Sequence, residues 1–335
     1  MLEERAGVNN KRLDARLRRL RRTESIREIL SESRVHVSNL VAPVFVQDGE
    51  RVIEPIESMP GIKRYSVDTV SNYVGRLTEG GIMSVLLFGL PASKDEAGTE
   101  AYSSDGVVPR AIRELKAQFP SLVVAADVCL CEYTSHGHCG VLEEGSVSNE
   151  KTLPLLAKAA LQYARAGADM VCPSAMMDGQ VLAIRRALDE SRFEERLVMG
   201  YSAKYASSFY GPFRDAARSA PTSGDRKGYQ MNPANSREAM REIDSDIKEG
   251  ADMVMIKPAL AYLDIISKAR SKYDVPIAAY SVSGEYSMIK AASANGWLNE
   301  KAAVIEVATS IKRAGADIII TYFAEQLALW LKEEG

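Results

Sequence analysis

Three of the chain's four cysteines fall within the run Asp127-Val128-Cys129-Leu130-Cys131-Glu132-Tyr133-Thr134-Ser135-His136-Gly137-His138-Cys139-Gly140. Thiolates at this spacing can converge on one cation, and zinc is the common cellular metal that prefers them. Three protein ligands leave a fourth tetrahedral position for water or substrate, which is the pattern of a catalytic site. Gly137 and Gly140 would let the backbone fold tightly round the ion. The competing reading is a set of reduced bystander thiols, or one redox pair. His136 and His138 lie in the same run and could be ligands, hydrogen-bonding supports or proton shuttles; the sequence leaves their role open. Cys172, alone in an apolar run, reads as a buried thiol.

Two lysines end apolar runs. Lys257 follows Met253-Val254-Met255-Ile256 and precedes Pro258; Lys204 closes Leu197-Val198-Met199-Gly200-Tyr201-Ser202-Ala203. A lysine there is costly unless it is paired or its pKa falls, and a free amine attacks carbonyls to form a Schiff base. If the two share a cavity, each ammonium should lower the other's pKa. A salt-bridged or snorkelling lysine is the plainer alternative. Ser174, Ser283 and Tyr322 also follow apolar runs, and Arg214, Arg226, Lys227 and Gln230 lie in a long polar segment. Arginines in such a segment suit bidentate capture of a carboxylate.

These residues need a scaffold that brings run ends together. Candidate strands fall at 40–46, 84–89, 122–128, 169–173, 197–202, 252–257, 276–281 and 317–323. Most are apolar throughout, as parallel strands covered on both faces are. Helical patterns lie between and after them, around 67–79, 108–118, 153–166, 179–191, 235–249, 259–271, 285–294, 300–314 and 324–333. Ala166-Gly167-Ala168-Asp169, Glu249-Gly250-Ala251-Asp252 and Ala314-Gly315-Ala316-Asp317 each end a helix and open a strand, with Glu79-Gly80-Gly81-Ile82 a degenerate version. Repeated βα units of this kind predict an α/β fold, a (β/α)8 TIM barrel. An open doubly wound sheet is the runner-up, but Gly-x-Gly-x-x-Gly and Gly-x4-Gly-Lys-Ser/Thr are both missing. In a barrel the reactive groups should gather at the C-terminal strand ends, walled by the long connections 129–150 and 203–234.

Composition bounds the rest. The 335 residues are 46% hydrophobic and 26% charged, ordinary globular values that exclude disorder and fibres. No apolar run approaches a membrane span, and the first residues lack the apolar core of a secretory signal. Four cysteines are too few for a disulfide scaffold, which points to a reducing compartment and a cytoplasmic location. The net charge of −3 argues against nucleic acid as a partner. Residues 1–34 alone carry +4, and Leu13, Leu17 and Leu20 fall at helical spacing. The expected organisation is an extended or helical N-terminal arm over 1–36, which needs something to lie against, and a barrel over 37–335.

The segments 127–140, Pro173-Ser174-Ala175-Met176-Met177-Asp178-Gly179-Gln180-Val181, 201–214, 224–239, 255–265 and 279–292 together resemble the porphobilinogen synthase (5-aminolevulinate dehydratase) family, over about residues 36–330. The resemblance implies condensation of two molecules of 5-aminolevulinate to porphobilinogen with loss of two waters, in tetrapyrrole and heme synthesis. It implies that Lys257 holds the first substrate as a Schiff base, its carboxylate on Ser283 and Tyr322. Lys204 would engage the second substrate, with its carboxylate on Arg214, Arg226 and Gln230, and Asp127 and Ser174 match pocket positions. Cys129, Cys131 and Cys139 match the catalytic zinc triad, and Glu242 a position that binds an activating magnesium between subunits. Family members are commonly homo-octamers whose arm wraps a neighbour, although residues 1–22 carry no matching motif. Two other readings stand beside it. A class I aldolase would need one lysine and no metal loop, and a binding protein would act through the basic arm.

Overall fold

The computed structural model describes residues 16–334. The chain divides into two compact units, Met1–Arg34 and Val35–Gly335. The described part of the first holds a 3-10 turn, Leu17–Arg21, and a short helix, Glu24–Ile29. The side chain of Thr23 caps that helix by accepting from the Ile26 N–H at 3.3 Å. Leu17, Leu20 and Ile29 are all exposed. Leu13 and the basic residues before position 16 lie outside the described residues.

In the second unit eight apolar runs form parallel strands: β1 (Leu40–Gln47), β2 (Ser84–Leu90), β3 (Val123–Val128), β4 (Met170–Pro173), β5 (Leu197–Lys204), β6 (Met253–Lys257), β7 (Ile277–Ser281) and β8 (Ile318–Thr321). Each pairs with the next, and β8 pairs with β1 through Leu40↔Ile319 and Val41↔Ile320, which closes the barrel. The expected (β/α)8 architecture is therefore the one observed. Helices cover the outside through stripes at helical spacing, such as Val70, Val74 and Leu77 in Val67–Glu79.

The differences are local. Ile53–Pro55 and Lys63–Ser66 form an antiparallel pair beside β1. Strands of three or four mixed residues are too short for alternation to reveal. The helix expected at 153 begins at Asn149, because the polar first turn and Pro154 mask its start. The long connections are also partly ordered. A hairpin, Leu142–Glu143 with Ser146–Val147, lies in the first, and a short helix, Gly211–Ala216, lies in the second.

The repeated junctions explain how the strands are set in depth. Gly167, Gly250 and Gly315 have φ of 107°, 103° and 118°, the left-handed region that ends a helix without a Cβ clash. The aspartate two residues later then grips the preceding strand twice. Asp169 donates its N–H to the Val124 carbonyl and accepts the Val124 N–H on its carboxylate, at 2.9 and 2.8 Å. Asp252 does the same to Val198, and Asp317 to Ile277. These clamps lock β3 to β4, β5 to β6 and β7 to β8 at the N-terminal end of the barrel.

Candidate active site

β3 delivers Asp127 to the C-terminal rim and runs into the cysteine loop. The sulfurs of Cys129, Cys131 and Cys139 lie within 4.8 Å of one another, all buried and none in a disulfide. Hydrogen bonds from Cys129 and Cys131 push the Cys139 thiol well below its ordinary value. Three soft donors, buried and clustered, suit a metal ion. Asp127, Cys129 and Glu132 form a second cluster of the same spacing.

Lys204 and Lys257 are direct register partners at the ends of β5 and β6. Both are buried, 5% exposed. Lys257 Nζ sits among four rings, with centroids at 4.1 Å (Tyr280), 5.0 Å (Tyr201 and Phe213) and 5.5 Å (Tyr210). Such rings favour a cation, but loss of water counts for more. Burial first, and then the charge of Lys204, lower the Lys257 ammonium from 10.5 to about 7. Lys204 departs from the expectation of mutual lowering. Burial pulls it down too, but the cysteine sulfurs and Asp127 outweigh burial and hold it above its ordinary value. Its Nζ donates to the Ser174 carbonyl at 2.6 Å. The pair is therefore asymmetric, one amine free near neutral pH and one charged.

Asp127 accepts from the Ser174 hydroxyl at 2.9 Å through one oxygen, while its other oxygen has no partner. Burial raises its carboxyl, against the pull of the two lysines. Arg226 and Gln230 are buried, and Arg214 is half-buried. The Nε atoms of both arginines and both amide atoms of Gln230 are unpartnered. Arg226 is fixed through Nη2, which donates to the carbonyls of Gly137 and Ser219. Tyr322 accepts from the Tyr280 hydroxyl at 3.0 Å. The Ser283 hydroxyl accepts from the Phe213 N–H and donates to the Phe209 carbonyl, which joins the end of β7 to the long connection after β5. Lys227 points outward and pairs with Asp225.

A cavity of about 1470 Å³ lies beside the lysine pair, and neither lysine lines it. His138, Tyr201 and Gln230 line it, and so does Glu242, on the helix Arg237–Glu249. Burial, with Asp178 and Glu238 nearby, raises the Glu242 carboxyl.

The ring cage was not foreseen in the sequence. Tyr201 lies three residues before Lys204, and Tyr280 one before the end of β7, but nothing in their spacing links them to Lys257.

The fold defines the class, an α/β barrel, a fold whose enzymes work at the C-terminal rim. The family model described as Delta-aminolevulinic acid dehydratase matches residues 14–330. A relative of that name from Halalkalibacterium halodurans is 53% identical over 319 residues, covering 95% of this chain and 97% of its own. Another, from Archaeoglobus fulgidus, is 54% identical over 313 residues, covering 93% and 97%. The crystal structure of the Toxoplasma gondii enzyme (porphobilinogen synthase), solved with its reaction product porphobilinogen, is 48% identical with a TM-score of 0.94, over 96% of this chain and 92% of that one. The chain belongs to the delta-aminolevulinic acid dehydratase family, and it is a hydro-lyase.

Proposed function

We propose that this chain condenses two molecules of 5-aminolevulinate into porphobilinogen with release of two waters, an early step towards heme and other tetrapyrroles. The observation that carries the reading is the asymmetric lysine pair, with Lys257 held near a pKa of about 7 inside four aromatic rings. Its free amine attacks the ketone of the first substrate, and loss of water leaves an iminium that draws electrons from the adjacent carbon. Ser283 and Tyr322 receive that substrate's carboxylate. The second substrate lies against charged Lys204, its carboxylate on Arg214, Arg226 and Gln230, whose unpartnered donors suit two oxygens. Asp127, with one free oxygen and a raised carboxyl, can take up a substrate proton, while the Ser174 hydroxyl holds its other oxygen. Holding two copies side by side turns a collision into an oriented encounter.

Cys129, Cys131 and Cys139 would hold zinc, which supplies a Lewis acid with an open position. Glu242 would take an activating magnesium. The arm, residues 1–36, would wrap a neighbouring copy in a homo-octamer, which would cover the exposed Leu17, Leu20 and Ile29. The reading needs neither nucleic acid nor membrane; among the described residues no helix is long and apolar enough to cross one. Four free cysteines accord with a cytoplasmic setting.

A colour assay for porphobilinogen tests the reading, run on 5-aminolevulinate with and without chelator and paired with borohydride trapping. Product formation lost on chelation, with a reduced adduct on Lys257, is the expected result. No product from the metal-loaded enzyme, or an adduct on another lysine, would contradict it.

A further inference from the structure

The two histidines of the cysteine loop have no part in the proposed chemistry, and their ring nitrogens are all engaged. His138 Nε2 lies 2.9 Å from the Ser223 carbonyl oxygen. A carbonyl only accepts, so Nε2 carries the hydrogen, and in the neutral ring Nδ1 is an acceptor. Its partner is the Tyr229 hydroxyl at 3.0 Å, which must then donate. The same Tyr229 oxygen accepts the Cys139 N–H at 3.4 Å. Every donor in this ring of contacts meets an acceptor. His136 is committed in the same way, accepting from the His138 N–H on Nδ1 and facing the Glu96 carbonyl through Nε2. Neither ring offers a lone pair to a metal, and neither belongs to the sulfur cluster.

We propose that His138 is a positioning residue, a clasp holding the segment 219–231 against the cysteine loop. The Tyr229 it holds directly precedes Gln230, and Arg226 reaches the same loop by donating to the Gly137 carbonyl at 2.9 Å. Clasp and thiolates therefore share one short stretch of backbone. The stretch that carries Cys139 also sets where Arg226 and Gln230 stand. The assignment of Arg226 and Gln230 to the second substrate rests on the proposed function, but the clasp itself does not. Its energetic logic is ordinary. Losing the histidine leaves the part-buried Tyr229 hydroxyl and the Ser223 carbonyl without this partner, which loosens the segment rather than the barrel.

The test compares His138→Ala, His138→Gln and Tyr229→Phe with the parent chain by metal content, amide exchange, kinetics and borohydride trapping. Glutamine can donate from its amide nitrogen and accept on its oxygen, so it should partly restore the clasp. Tyr229→Phe removes only the hydroxyl and cannot unfold a barrel. In the alanine and phenylalanine variants metal per subunit should stay at the parent value. Exchange in 219–231 should quicken about tenfold, as expected for one or two lost hydrogen bonds. KM should rise by a similar factor with trapping at Lys257 retained, and glutamine should recover part of both changes. Loss of metal in His138→Ala would make the histidine a ligand and overturn the clasp, as would unchanged exchange in 219–231. Exchange and metal content are read without turnover, so they decide the clasp even if no porphobilinogen forms.

Discussion

The two ends of the barrel treat their polar groups in opposite ways. At the N-terminal end Asp169, Asp252 and Asp317 each grip one residue of the neighbouring strand through both backbone and carboxylate. Lys116 pairs with Asp169 and Arg270 with Asp317. At the C-terminal end Asp127 keeps one oxygen unpartnered, and so do Gln230 at both amide atoms and Arg214 and Arg226 at Nε. Buried polar atoms in folded proteins are nearly always paired, so these exceptions support the proposed substrate-binding role of this end. Where an aspartate's bonds close within the protein it fixes the strands, and under the proposed function the open oxygen of Asp127 serves the chemistry.

Substitutions at the two ends should separate these purposes. The largest effect is expected from Lys257→Ala, which should cost at least about 10⁴-fold in turnover, as for other covalent nucleophiles. It should also abolish borohydride trapping, read as the mass of the adduct; trapping that persists would move the nucleophile elsewhere. Cys131→Ser should come next, weakening metal binding by at least about 100-fold, more than is usual for a group merely supporting a ligand. Metal analysis after dialysis reads it directly, and unchanged stoichiometry would remove this sulfur from the cluster. Arg226→Ala should weaken the second substrate more than the first, by roughly 10–100-fold in its apparent KM, the worth of one charge-assisted hydrogen bond. Equal weakening of both would undo the division of subsites. At the opposite end, Asp252→Ala should cost about 1–3 kcal/mol of stability, the penalty for orphaning a buried N–H. It should do so with kcat and KM near the parent values, in denaturant titration against steady-state kinetics. Gln230→Leu should give the smallest and most diagnostic change. It should leave stability unchanged or raise it by up to ~1 kcal/mol while KM rises, because an unpartnered amide costs the fold and serves only the ligand.

What the sequence could disclose follows the same divide. The strands were legible because most are apolar almost throughout, and the junctions because a glycine needed at positive φ repeats in the same setting. The aspartate after each glycine was visible, but its partner is a backbone N–H on another strand, 40 to 54 residues away, which no local pattern shows. Lys257 stood out as a charge ending an apolar run. Its cage did not, since the rings come from β5, β7 and the connection between β5 and β6. The histidines remained ambiguous for the same reason, as the partners of His138 lie 85 and 91 residues along the chain. Mutual lowering of the lysines followed from their own charges alone, and the structure adds the sulfurs that hold Lys204 up.

The account turns on a lysine that is uncharged near neutral pH because it is buried beside another that is not. Only the free amine attacks a ketone, and Lys257 is lowered from 10.5 to about 7, so trapping should fall as the pH drops through 7 and level off above it. Replacing Lys204 by Met removes a like charge and should move that midpoint upward. The direct measurement is the rate of borohydride-trapped adduct at Lys257 against pH, in the parent chain and in Lys204→Met. A parent midpoint near 7 that rises in the variant is the predicted result. A parent midpoint close to that of an ordinary lysine, unmoved by the substitution, would contradict it.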